Sequence, residues 1–278
     1  MSKIAVIGLV GNSAFLSVDE FHKGGETVVA KDIHFEPGGK GFNQAVAASR
    51  MGASVSFLGA VGNDYYREVL DFCQKEGIYS DLKIKDGNTA YASIITNSAG
   101  DTRVTVFGGV YLTKEDVDSF AEEISSSDIL LLNNEVLEEV NVRAMEIAKK
   151  SGTKIILNPA PARELCPYIL ENVDLFTPNE FEASVLEEKQ NLIITLGGKG
   201  CFIKETNDRV DAFLSGKVVD TTGAGDTFNG ALATMLSKGE SIRKSVEIAT
   251  VAAGISVTGK YAVSSIPKKE EIQKFYQF

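Results

Sequence analysis

Short apolar, β-branched runs recur along the chain at 3–8 (KIAVIG), 54–62 (SVSFLGAVG), 128–134 (DILLLNN), 154–161 (KIILNPAP), 174–179 (DLFTPN) and 191–198 (NLIITLGG), with helical patterns between most of them. Few polar positions interrupt these runs. A strand of that kind is buried on both faces, which predicts a parallel sheet covered by helices above and below, a three-layer α/β fold. The helical stretches carry the expected punctuation: GGKGFNQAVAASRMGA stops at Gly52, NDYYREVLDFCQKEG supplies another, and LTKEDVDSFAEEI opens on Thr113-x-x-Asp116, the spacing of a capping box. Segments 14–36 and 89–107 instead alternate apolar and polar residues around turns, which predicts antiparallel strands with one solvated face. They read as a small β-sheet lid inserted above the main domain. No internal repeat, low-complexity stretch or linker breaks the chain, so residues 1–278 are expected to form one domain carrying two lid insertions.

Composition narrows the function classes. The chain of 278 residues has 38 acidic against 28 basic residues, a net charge of -10, and no basic stripe offsets the excess, which argues against nucleic acid as a partner. No apolar run approaches the roughly 18 residues of a membrane span, and the apolar start is too short for a signal peptide's core, so neither a membrane nor a secretory address is expected. Cys73, Cys166 and Cys201 show no C-x-x-C spacing, which fits a reducing cytoplasm. His22 and His34 lie on polar, hairpin-like sequence without a metal or triad motif, and are expected at the surface. A general base in this chain would then be a carboxylate.

Two GGKG loops stand at 38–41 and 197–200, and glycine beside lysine suggests phosphate. Neither is a Walker loop, because the lysine is followed by glycine rather than Ser or Thr. GLVGNSA at 8–14 likewise lacks the G-x-G-x-x-G spacing of a dinucleotide fold. In VVDTTGAGDTFNGALATML, residues 218–236, Gly223, Ala224 and Gly225 leave backbone N–H groups unshielded where a helix begins, a cradle for an oxyanion. Asp226 is then either the N-cap of that helix or a general base that takes a hydroxyl proton during phosphoryl transfer. Gly38 and Gly39 allow a ligand close to the backbone, with Asn43 facing hydroxyls, or else form a tight strand-to-helix turn. TLGGKGCFIKE could equally be a hairpin between 192–196 and 201–205. Asn179 and Glu182 lie three apart at the start of a predicted helix, where they either organise hydrated magnesium or cap the helix. Glu135 follows LLLNN at the carboxyl end of a strand, where open α/β sheets bind ligands.

PGGKGFNQAVAA, NPAPAREL, TPNEFEA, ITLGGKG and DTTGAGDTFNGAL occur in the order and approximate spacing of the ribokinase-like (PfkB) sugar kinases, which the chain resembles from residue 1 to about 267. The resemblance implies an ATP:sugar phosphotransferase with a Rossmann-like domain and a β-lid that pairs two copies into a homodimer. It assigns Asp226 as the base and Gly223, Ala224 and Gly225 as the anion hole. Gly38, Gly39, Lys40, Gly41 and Asn43 become the sugar loop, with Glu135 on another hydroxyl. Asn179 and Glu182 match the N-x-x-E element that organises magnesium and phosphate, and Thr195, Gly197 and Gly200 match the nucleotide loop. A potassium-type monovalent-cation site is implied near Asp220 and Thr222 and the segment SVTGKYAVSS, which contributes Ser256, Gly259, Tyr261 and Ser265.

The chain departs from the family pattern in three places. Tyr261 stands where a glycine carbonyl usually helps ligate the cation. Gly11 and Ser13 replace the Asn-x-Asp pair near the N-terminus, so a carboxylate that grips two sugar hydroxyls is missing, and a charged hydrogen bond is worth about 1.5–3 kcal/mol. D-ribose is therefore the leading acceptor, with a nucleoside, ketose or hexose kinase, or a weakly active sensor of sugar or nucleotide, as alternatives. Finally, only EEKQN separates the N-x-x-E element from the ITLG strand, where relatives insert a further helix. The sheet is expected to persist with one helix fewer and one flank exposed.

Overall fold

The computed structural model describes residues 2–186 and 188–278, so the first residue of EEKQN, Glu187, lies outside the described residues. The chain begins with β1 (Lys3–Ile7), β2 (Gly11–Ser17), β3 (Asp32–Gly38), α1 (Lys40–Arg50), β4 (Ser54–Val61), α2 (Tyr66–Lys75) and β5 (Tyr79–Ile84). There follow β6 (Ala90–Thr96), β7 (Thr102–Phe107), α3 (Lys114–Ser119), α4 (Ala121–Ser125), β8 (Ile129–Asn133), α5 (Glu138–Ser151), β9 (Lys154–Asn158) and α6 (Pro167–Asn172). The remainder holds β10 (Leu175–Phe176), β11 (Ile193–Thr195), β12 (Cys201–Ile203), β13 (Asp208–Val210), α7 (Ala224–Ser237), α8 (Ile242–Ser256) and α9 (Lys269–Ile272).

The main sheet has six parallel strands in the order β10-β9-β8-β1-β4-β5. Successive side chains alternate between its faces, and the apolar runs fill both. Ile4 and Val6 of β1 join a core with α1, α2, α7 and α8, while Ala5 and Ile7 join a second core with α3, α4, α5 and α6. The three layers expected from the run pattern are thus present. Thr113 caps α3 in the box read from its spacing, its hydroxyl accepting from Asp116 N–H while the Asp116 carboxylate accepts from Thr113 N–H.

Three details differ from expectation. β5 went unread because its YSDLKI, on an edge, is only partly buried and carries no apolar run. NLIITLGG meets the end of the main sheet by isolated parallel bridges, Phe176 to Leu192 and Asn179 to Thr195, and the chain then doubles back at Gly197. β11, β12 and β13 then form their own antiparallel sheet. The lid is a four-stranded sheet in the order β3-β2-β6-β7, and it is not wholly antiparallel: β2 pairs with β6 in parallel. Both hairpins rise from the same end of the main sheet, β2 after β1 and β6 after β5, so their first strands run the same way. The lid strands span 11–38 and 90–107, close to the expected insertions.

Helices α1 and α7 meet at backbone distance. A Cβ on Gly230 would stand 2.5 Å from both the Gln44 carbonyl oxygen and the Ala47 Cβ, and one on Gly41 would stand 2.5 Å from Gly8 Cα. Alanine at position 230 would gain up to about 1 kcal/mol in helix propensity but would force the helices apart, and overpacking costs about 1–3 kcal/mol. The steric cost wins, so Gly230→Ala is expected to lower the urea unfolding midpoint, which an equilibrium titration followed by circular dichroism reads.

Candidate active site

The site lies at the carboxyl ends of the parallel strands, beside the point where β1 sends the chain to one side and β8 to the other. Ligands collect in that crevice in open α/β sheets. Gly8 follows β1, Glu135 follows β8, and Asn158 ends β9. Asp226 is 5% exposed and is the third residue of α7. It is not the N-cap: Gly223 is, in the left-handed region at φ 77° and without a side-chain cap bond. One reading of Asp226 is thereby removed, and its carboxylate is directed by α1 instead. Asn43 Nδ2 donates to Oδ2 at 2.9 Å and Gln44 Nε2 donates to Oδ1 at 3.2 Å.

The loop before Asp226 is braced from behind. Asn229 Nδ2 donates to the Gly225 carbonyl at 2.8 Å, and its Oδ1 accepts from the Thr177 hydroxyl at 2.5 Å. Asn158 Nδ2 donates to the Thr177 carbonyl at 2.8 Å, and Asn158 Oδ1 accepts from Gln44 Nε2 at 3.4 Å, which closes a ring back to Asp226. Of the three residues expected to cradle an oxyanion, Ala224 already donates its N–H to Thr221 O at 3.3 Å. The Gly225 and Asp226 amides stand in the first turn, where the helix itself supplies no acceptor. A Cβ on Gly225 would meet no protein atom within 4 Å, so this backbone faces open space.

The two GGKG loops flank Asp226 but use glycine for different reasons. In the first, Gly39 has φ 104° and a Cβ on it would stand 2.5 Å from Leu9 O, while Gly38 lies beside Ser13. Close packing demands these glycines. In the second, Gly197 and Gly198 have open space where a Cβ would be, and Gly200, at φ 87°, is pressed against Val210 and Asp211. That loop is both a hairpin turn and one wall of the cleft: Lys40, Asn179, Glu182, Thr195, Gly197 and Asp226 line a common cavity. A second, apolar cavity continues from Gly197 and Gly225 between Ala212, Phe213, Leu214, Val218, Phe228 and Val257.

Among the described residues lining the Asp226 cavity, Lys40 is the basic one. The Asp226 carboxylate, reinforced by Glu135 and Glu182, raises its pKa against the opposing pull of burial. Its backbone N–H also donates to Glu135 Oε2 at 2.6 Å, so Glu135 caps the N-terminus of α1. Burial, reinforced by Asp226 and only partly offset by Lys40, pushes the Glu135 carboxyl up to about 7. Asn179 and Glu182 hold each other: Asn179 N–H donates to Glu182 Oε2 at 2.9 Å, its Nδ2 donates to Oε1 at 3.0 Å, and Glu182 N–H donates to Asn179 Oδ1 at 2.8 Å. The helix expected there is a 3-10 turn, Glu182–Leu186.

The residues expected around a cation also come together. Asp220 accepts from Thr222 N–H at 2.9 Å and from Tyr261 N–H at 3.1 Å, Ser265 Oγ donates to Tyr261 O at 2.8 Å, and Gly259 N–H donates to Ser256 O at 3.0 Å. Ser13 is 8% exposed and stands opposite Glu36 in the lid. His22 is exposed as expected, but His34 is half-buried and stacks on Tyr261.

Whole-chain comparisons place the sequence and the fold. Residues 1–269 match the model of the pfkB family carbohydrate kinases. The chain belongs to the pfkB family of carbohydrate kinases. Among its relatives is the ribokinase of Haemophilus influenzae, 34% identical over 99% of this chain and 98% of that protein. The crystal structure of a Thermotoga maritima ribokinase superposes with a TM-score of 0.88 at 35% identity, covering 99% of each chain. An Arabidopsis thaliana ribokinase complexed with ribose and ATP gives 0.88 at 25% identity, covering 100% of each. The kinase is thus a phosphotransferase with an alcohol acceptor, and its fold is the ribokinase fold.

The sequence reading of this kinase missed Gln44, Asn158, Thr177 and Asn229. Asn158 and Thr177 carried a usable signal, their place at the carboxyl ends of apolar strands; Gln44 and Asn229 bond across helices that the primary order does not bring together. Glu135 generates a pH dependence. Because its folded pKa lies near 7 against 4.5 for an ordinary carboxyl, the folded state binds more protons between those values, and stability is lost as pH rises through that window. In Glu135→Gln that slope is removed, so the melting temperature of the variant should match wild type near pH 4 and exceed it near pH 8, as differential scanning calorimetry at the two pH values reads.

Proposed function

We propose that the enzyme transfers the γ-phosphoryl group of ATP to a sugar hydroxyl, with D-ribose as the leading acceptor and ribose 5-phosphate as the product. The observation that carries the reading is the buried Asp226 carboxylate, oriented by Asn43 and Gln44 beside the open backbone of Gly225 and flanked by the two GGKG loops. The acceptor would lie over Gly38, Gly39, Lys40 and Gly41, with Glu135 and Asn43 on its hydroxyls. Among the described residues nothing donates to Asn43 Oδ1, which leaves that buried acceptor for a ligand hydroxyl. The adenine would fill the apolar cavity beside Phe213 and Phe228, with the phosphates passing Thr195, Gly197 and Gly200. Asp226 takes the hydroxyl proton as the oxygen attacks phosphorus and the bond to the ADP oxygen breaks. The first-turn amides and Lys40 meet the charge on the migrating group.

Among the described residues no cluster of three or more His, Cys, Asp or Glu could hold a metal ion. That suits magnesium, which keeps its water and binds chiefly through substrate phosphates; Glu182, tied to Asn179, would reach it through water. A potassium ion would draw its oxygen ligands from Asp220 and the carbonyls of Ser256 and Tyr261, with Thr222, Gly259 and Ser265 around it. Such an ion would stiffen the oxyanion loop from behind. The three free cysteines fit a cytoplasmic address, and among the described residues no helix is long and apolar enough to cross a membrane.

The lid supports a homodimer. Ile33, Phe35 and Phe107, which the pairing registers place on one face of the lid, are each more than half exposed, an apolar surface that a second copy would cover. Light scattering at micromolar concentration should give twice the chain mass, and Phe35→Glu should halve it.

Two kinetic measurements test the reading. ADP release across pentoses, hexoses and nucleosides should be fastest with ribose; a nucleoside preference would move the acceptor within the family, and binding without turnover would make the protein a sensor. Asp226→Asn should keep the fold and ATP affinity while kcat falls by about 10² to 10⁴, the range a general base contributes. Wild-type turnover in that variant would remove the base.

A further inference from the structure

Glu36 belongs to none of the parts described so far. It lies on lid strand β3, is 5% exposed, and faces the same side of the lid as its cross-strand neighbour Ser13. Its carboxylate reaches out of the lid into the turn before α9. Oε1 accepts from Ala262 N–H at 2.9 Å and Val263 N–H at 2.8 Å, and Oε2 accepts from Ser264 N–H at 3.0 Å and Ser264 Oγ at 2.5 Å. His34 Nε2 lies 3.4 Å from Oε2. Three consecutive amides converging on one buried carboxylate form an anion nest whose occupant is a side chain of the protein itself.

The same turn is clasped a second time. Tyr261 adopts φ 70°, a region costly for a bulky residue, so its surroundings must hold it there. Its ring stacks on His34 at 3.9 Å with 11° between planes and packs 5.1 Å from Phe15, both on the lid. On its other side the turn touches the machinery. Tyr261 N–H donates to Asp220, Asp220 accepts from Thr222 N–H, and a Cβ on Gly223 would stand 3.2 Å from Ala262 Cα. A continuous route of bonded and packed groups therefore runs from lid strand β3 through 261–264 to the N-cap of α7.

We propose that Glu36 is a positioning residue that couples the lid to the oxyanion loop, holding Gly223–Gly225 in their working conformation through the 261–264 turn. The proposal rests on the kinase reading of Asp226 for its catalytic consequence, but the coupling itself is a property of the unliganded fold. Glu36 does not grip the acceptor, because both its oxygens are already committed to the turn. The amides it steadies act on charge that develops in the transition state, so loosening them lowers kcat and leaves KM nearly alone.

The test compares wild type with Glu36→Gln, which halves the acceptor capacity of the side chain, and with Ser264→Ala, which removes one donor and keeps the carboxylate. Steady-state kinetics are measured with ATP and the preferred acceptor, and amide hydrogen exchange is followed over 220–226 in the free protein. For Glu36→Gln the expected result is a kcat lower by roughly tenfold or more, KM values within about threefold, and faster exchange at 222–226. Ser264→Ala should move both readouts the same way but less, and it remains informative if Glu36→Gln fails to fold. An acceptor KM raised tenfold at unchanged kcat would overturn the proposal and make Glu36 a sugar ligand. Unchanged kcat and unchanged exchange would overturn it too, leaving a merely structural latch. If wild type itself shows no turnover, the kinase reading fails separately, and unchanged exchange in both variants overturns the coupling on its own.

Discussion

The close approach of α1 and α7 is the constraint on which the rest depends. Gly230 in α7 and the backbone around Gln44 in α1 meet at a distance that excludes a Cβ, and Gly41 in the first turn of α1 meets Gly8 in the same way. Because the helices are that near, side chains as short as Asn43 and Gln44 reach across to Asp226. A carboxylate placed in the first turn of a helix would otherwise be free to fold back on its own amides, as capping residues do. Here the carboxylate is aimed by a neighbouring helix.

The electrostatics of the cleft follow from the same packing. Asp226, Glu135 and Glu182 all act on Lys40, the first residue of α1. In a protein of net charge -10, a polyanionic nucleotide would be repelled at long range. The cleft answers locally, with one lysine, a helix N-terminus and glycine backbone rather than a field of basic residues. Glu135 is the cost of that compactness: its carboxylate caps α1 but is desolvated and near Asp226, so its proton is held to about 7.

The lid is bonded to the catalytic domain as well as placed above it. The buried Glu36 carboxylate, the stacked His34 and Tyr261 rings and the Asp220 bridge join the lid sheet to the loop that leads into α7. Beyond β10, β11 holds to the main sheet by single bridges and takes its partner from β12.

The sequence by itself determined the layers, because uninterrupted apolar runs can be satisfied only with helices on both faces, and it singled out the loops, because glycine clusters and an isolated Asp at a helix start have local physical meanings. It could separate neither an N-cap from the third residue of α7 nor a hairpin from a cleft wall at 197–200. Local spacing is compatible with both members of each pair, and the second pair proved to be one object. What only the tertiary structure decided were the relations across the chain: Gln44, Asn158, Thr177 and Asn229 as a ring around Asp226, β2 beside β6 in parallel, and His34 and Glu36 on a turn more than 220 residues away. Such contacts depend on the directions of side chains after strands and helices have packed, and in the primary order they leave no period, spacing or composition to read.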